Sequence, residues 1–222
     1  MVIAHILVGP DEDHLPLVLE RARAWANSVF CVIDPAASKK EKAIVDQYAD
    51  GYWTGPPLFL LDEAAHRQTA WNLMVIALDP SPEDWMVIID ADEVITMPHL
   101  VQKAAKDPFF DGKRVGFTIY NLWDGPQYRA DGPFRVKTEW LMFQFRQGAH
   151  WSPNSTARAP DYVYNLPPVT EPLSDIAHYG YLTAEQRERK WKRDQARGKD
   201  VTALSTKPLL GTWKKGGLPK NG

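Results

Sequence analysis

Three short apolar runs, Val2 to Val8, Val29 to Ile33 and Trp85 to Ile89, are separated by segments long enough to fold as helices with one apolar stripe. Such runs suit strands buried on both faces. Gly9-Pro10 closes the first run. After it, Leu15, Leu19, Ala22 and Ala26 make a helical stripe, with Pro16 tolerated in the first turn because its missing N–H would have no partner there. Ser38 and Glu41 have capping-box spacing ahead of a helix that turns Ile44, Val45 and Tyr48 inward. Asp62 is placed to cap a longer helix that runs to Leu78 and stops at Asp79-Pro80. Repeated strand–helix units with short links imply parallel strands joined by right-handed crossovers, hence an α/β fold with a mostly parallel central sheet. In such sheets ligands bind at the carboxyl ends of the strands, where Asp34 and Asp90 to Glu93 fall.

Beyond Pro98 the pattern loosens. Arg114 to Leu122 and Trp140 to Arg146 are predicted strands, Trp151 to Pro172 is irregular, and Thr183 with Gln186 opens a basic helix to Arg197. With 222 residues, one domain over 1–206 is expected, split functionally into 1–97 and 98–206, with a fraying Lys- and Gly-rich tail at 207–222. Twenty-six basic against 28 acidic residues leave a net charge of −2, which gives no global field to attract nucleic acid. The lone Cys31 excludes an intramolecular disulfide and reads as a buried free thiol. No run approaches the ~20 apolar residues of a membrane span. The N-terminal run lacks the basic flank and cleavage site of a signal peptide, so a cytoplasmic protein is expected.

Asp90-Ala91-Asp92-Glu93 carries the strongest chemical signal. Crowded carboxylates at the end of an apolar strand repel one another, and a hard divalent cation such as Mn2+ or Mg2+ relieves this while accepting substrate phosphates as further ligands. The helix ending at Leu78 puts Arg67, Trp71, Met74 and Leu78 on one stripe. An inward guanidinium needs an anion, and a bidentate phosphate contact is what Arg provides. A structural ion pair is the alternative.

Phe30 to Asp34, His66-Arg67-Gln68-Thr69-Ala70-Trp71-Asn72, and Trp85 through Glu93 together resemble the GT-A glycosyltransferases, specifically a small member of glycosyltransferase family 2. The likeness covers the first half well and the second half loosely. It implies a Rossmann-like GT-A fold and an inverting transfer from a UDP- or GDP-type nucleotide sugar to a glycan, protein or lipid-linked acceptor. It also implies that Asp92 ligates the metal, Asp90 faces the ribose or the metal shell, and Asp34 contacts the base or ribose. A late histidine returns to the metal or diphosphate in similar enzymes, and His178 is placed for it. Where the family has an Asp-rich turn, this chain has Pro35-Ala36-Ala37-Ser38, which leaves the nucleotide open.

Transfer needs a base for the acceptor proton. Asp131 and Asp124 are the candidates, with Glu139 third; Asp131 and Asp124 both precede glycine, so turn formation is the competing reading. Trp123, Tyr128, Trp140, Trp151, Tyr162, Tyr164, Tyr179 and Tyr181 supply faces on which a sugar could stack. The run Arg187 to Arg193 is either a solvated helix face or a cationic wall against the diphosphate led by Lys190. Two rival functions stand beside this: a nucleotidyltransferase on a related fold, disfavoured by the acidic Gly9-Pro10-Asp11-Glu12-Asp13 loop, and a carbohydrate-binding module without turnover.

Overall fold

A computed structural model describes residues 1–10, 12–55, 63–125, 127–196, 201–205 and 208–212. Its first half alternates as expected: β1 (Val2–Val8), α1 (Leu15–Arg23), β2 (Ser28–Ile33), α2 (Lys39–Tyr48), β3 (Gly51–Thr54), α3 (Glu63–Leu78) and β4 (Trp85–Asp90). These strands are parallel in the order β3-β2-β1-β4. Alternate residues face opposite ways along a strand. Ala4, Ile6, Val8, Val29, Cys31, Ile33, Val87 and Ile89 therefore pack beneath α1, while Ile3, Phe30, Val32, Met86 and Ile88 meet Trp71 and Met74 of α3. Both faces of β1, β2 and β4 are covered, which is why those three strands read as unbroken apolar runs.

Both predicted capping boxes form. Ser38 Oγ accepts from Lys40 N–H at 3.2 Å while Glu41 Oε2 accepts from Ser38 N–H at 2.6 Å. Thr183 Oγ1 and Gln186 Oε1 accept from each other's backbone N–H at 3.2 and 3.0 Å. α1 stops at Arg23, short of Ala26. Asp62 lies outside the described residues.

The second half comprises β5 (Glu93–Ile95), α4 (Pro98–Ala104), β6 (Val115–Leu122), β7 (Gln127–Arg129), β8 (Lys137–Gln144), β9 (Ser174–His178), α5 (Ala184–Ala196), α6 (Thr202–Ser205) and β10 (Leu210–Thr212). Its pairings are mainly antiparallel: β8 joins β4 to β6, and β7 and β10 extend that edge. Among the described residues, all ten strands belong to one sheet. The fold is thus Rossmann-like α/β, parallel through its first half and flanked by helices. One expectation is corrected here. Leu210–Thr212, read from sequence as fraying tail, pairs antiparallel with β7, and Ala130 N–H donates to Leu209 O beside it. No helix among the described residues is long and apolar enough to cross a membrane.

β9 is the connection that matters for the site. It runs antiparallel to β5 and parallel to β6, so His178 lies opposite both Glu93 and Asn121. Residues separated widely in sequence are thereby brought to the end of β4.

Candidate active site

Two adjoining cavities open at the carboxyl edge of β1, β2 and β4. The smaller, about 170 Å³, is lined by Val8, Gly9, Glu12, Asp34, His66, Asp92 and Arg193 among others. The larger, about 420 Å³, is lined by Asn121, Phe134, Lys137, Glu139, Arg158, His178 and Tyr181 among others. Glu63, Arg67 and Asp90 line both and so mark the junction.

Arg67 is buried, and its Nη2 donates to Glu63 Oε1 one helical turn earlier at 2.9 Å. Its Nε and Nη1 are buried and have no hydrogen-bond partner among the described residues. A guanidinium left two donors short inside a protein costs free energy until an anion meets it. Asp34, also buried, accepts from Ala36 N–H at 2.8 Å, which fixes the turn after β2 and holds the carboxylate on the wall of the smaller cavity.

The three crowded carboxylates separate. Glu93 is buried and bound by both Arg158 amines, at 2.8 and 2.6 Å, while its Oε2 also accepts from Asp90 N–H at 3.0 Å. Arg158 reaches Glu139 at 3.2 Å and Asp90 at 3.6 Å. Burial pushes the Glu93 carboxyl above the usual range despite Arg158, and the same three carboxylates hold Arg158 firmly charged. Asp92 takes different partners. Its Oδ2 lies 2.7 Å from Lys190 Nζ and 3.1 Å from His178 Nε2. Burial alone would raise this carboxyl, but His178 and Lys190 outweigh it and hold it well below the usual range.

His178 is oriented by a second bond. Its Nδ1 is 2.6 Å from Asn121 Oδ1, and the Asn121 amide nitrogen donates to Phe134 O at 3.2 Å, which settles which amide atom faces the ring. Glu12, not singled out from sequence, sits where β1 turns out of the sheet; burial and then Asp92 push its carboxyl up to about 8. Gly9-Pro10 was the available signal, since a turn at a strand's carboxyl end directs the next side chains over the edge.

The expected metal triad of Asp90, Asp92 and His178 is not assembled. Asp92 and His178 meet, whereas Asp90 is drawn toward Arg158, and among the described residues no three His, Cys, Asp or Glu side chains converge as a metal site. The expected bases lie apart from both cavities. Asp124 sits at positive φ with its side chain exposed, paired to Arg187 at 2.9 Å. Asp131 is held by Arg129 at 2.7 and 3.1 Å beside β10. Neither lines either cavity. Both are turn residues because the following glycine lets the chain reverse there. Glu139 does line the larger cavity, and so does Tyr181 of the aromatic residues expected near an acceptor. Lys190 donates to Asp92 and also lines a small neighbouring cavity.

No protein-family model and no curated protein matches the chain. Among solved structures it is similar to a 4-diphosphocytidyl-2C-methyl-D-erythritol synthase at 11% identity and TM-score 0.43, over 64% of this chain and 74% of that one. It is also similar to a mannose-6-phosphate isomerase from Helicobacter pylori at 15% identity and TM-score 0.34, over 66% of this chain and 61% of that one. Neither description is that of a GT-A glycosyltransferase. At these scores neither likeness bears on reaction or substrate, and the α/β assignment rests on the strand order itself.

Proposed function

We propose that the chain is a glycosyltransferase that holds a nucleoside-diphosphate sugar across the two cavities, with the diphosphate at Arg67. The observation that carries this is the buried guanidinium with two unmet donors at the junction. The nucleoside lies toward Asp34 in the smaller cavity and the acceptor enters the larger one. The acceptor oxygen bonds to the anomeric carbon as the bond from that carbon to the diphosphate oxygen breaks. The nucleoside diphosphate departs, and the acceptor's proton passes to a carboxylate. Asp90 is assigned that proton. It stands at the junction with its side chain 38% exposed and, among the described residues, a single long ion pair, whereas Glu139 is tied to both Lys137 and Arg158.

The residues present fit a divalent ion that completes its shell with phosphate oxygens. Asp92 Oδ2 and His178 Nε2, 3.1 Å apart at the cavity rim, would offer such an ion one carboxylate oxygen and one imidazole nitrogen. When bound, Mn2+ or Mg2+ supplies charge neutralisation to the leaving diphosphate. Arg67→Lys should weaken UDP or GDP by about tenfold or more and leave the free nucleoside nearly unchanged, because a point charge does not replace the fork. Equal weakening of both in calorimetric titration sinks the diphosphate reading. Asp90→Asn should lower single-turnover transfer about 100-fold with donor affinity retained.

Nucleotidyl transfer is the second reading. Arg189, Lys190 and Arg193 line a further cavity beside the β1–α1 loop, a supply of cations suited to a longer phosphate chain. Release of pyrophosphate rather than nucleoside diphosphate would select it.

A further inference from the structure

Lys190 is the feature that the proposed chemistry leaves unexplained. Its ammonium lies 2.7 Å from Asp92 Oδ2 and 3.5 Å from His178 Nε2, so one charge caps both atoms that would ligate a metal. The tautomer of His178 sharpens the point. Asn121 presents its amide oxygen to Nδ1, and an oxygen only accepts, so Nδ1 carries the proton. Nε2 is then the ring atom that faces the Asp92 carboxylate, 3.1 Å away.

The surroundings are shaped for this ammonium. Gly180 lies against it, and a Cβ there would overlap both Lys190 Nζ and Asp92 Oδ2. The ring of Tyr181 lies beneath, 4.5 Å from Nζ. Lys190 also lines the cavity shared with Pro10, Glu12 and Arg193, all three of which line the smaller substrate cavity. The flexible stem therefore has an anionic destination beside it once a diphosphate arrives.

We propose that Lys190 is a tethered cation that holds the metal position in the ligand-free protein and yields it to a divalent ion when a diphosphate binds. This rests on the metal reading of Asp92 and His178 given above. Its consequence is that metal and diphosphate bind as a pair. Without nucleotide an incoming Mn2+ must displace a bonded ammonium; with nucleotide, Lys190 moves to the phosphate and the ion gains phosphate oxygens as ligands.

The test is a Mn2+ titration of the full chain without nucleotide, following free Mn2+ by electron paramagnetic resonance. Lys190→Met should bind Mn2+ about tenfold or more tightly than the wild type. Lys190→Gln should do the same, and it serves if the Met variant fails to fold by thermal melting. Adding Asp92→Asn to either should remove the gain. Unchanged or weaker Mn2+ affinity in folded Lys190 variants overturns the exchange, provided the wild type still binds Mn2+ with UDP or GDP. If no variant and no nucleotide brings Mn2+ to the protein, the metal reading falls and the exchange with it.

Discussion

Asp92 and Glu93 are neighbours in sequence and opposites in structure. Glu93 meets Arg158 through two close bonds on the wall of the larger cavity, and that guanidinium is further engaged by Glu139 and Asp90. Asp92 meets one ammonium and one imidazole at the rim of a cavity. A planar fork held by several carboxylates is a fixture of the architecture. A point charge on a flexible stem, held at one oxygen beside open space, is a part that can be exchanged. Residue type alone, acid against base, says nothing of this difference; the number and geometry of the contacts decide it.

The sharpest way to break the contrast is to remove the fixture. Arg158→Met leaves Glu93 buried beside Asp90 and Glu139 without its cation, and should cost about 3–5 kcal/mol of folding stability in urea denaturation. A loss under about 1 kcal/mol would mean that Glu93 is no better held than Asp92.

His5 extends the contrast to a buried base that, among the described residues, has no carboxylate to hold its charge. It is packed beside Phe30 and Trp71, and burial, with Arg67 nearby, lowers it from 6.5 to about 4. Between those values the unfolded chain binds the proton and the folded one does not. Stability should therefore be fully present above about pH 6.5 and fall by about 3 kcal/mol toward pH 4. His5→Leu should flatten that slope, and an unchanged slope would assign it to other groups.

The smallest effect belongs to the exposed pair. Asp124→Asn should change stability by less than about 1 kcal/mol and turnover by less than about twofold, since solvent screens its bond to Arg187. A large loss of turnover would return Asp124 to the role of base that its placement denies it.

What was legible in the sequence follows the range of the interactions. β1, β2 and β4 announce themselves because each is buried on both faces, and the capping boxes are contained within four residues. Asp34, Arg67 and Asp92, singled out from their place at strand ends or on a helix stripe, line the smaller cavity, and His178 meets Asp92. Arg158 was not singled out. It lies in an irregular segment, flanked by Ala157 and Ala159, and acquires meaning only through a partner 65 residues away. The unbalanced charge at Asp90 to Glu93 was the one hint that such a cation must exist. β9 was missed for a similar reason: Ser174, Asp175 and His178 interrupt its apolar pattern, and its two neighbours in the sheet make it a strand.

That double pairing makes β9 an index pin. Side chains alternate along a strand, so advancing β9 by one residue would set Ala177 opposite Glu93 and Asn121 and swing the imidazole to the far face. Because two strands grip β9 in opposite senses, such a slip would have to break both sets of ladder bonds at once. The loop before β9 is free to change length without disturbing the alignment, whereas an insertion within Ser174–His178 would separate the imidazole from Asp92 even with every residue of the site still present.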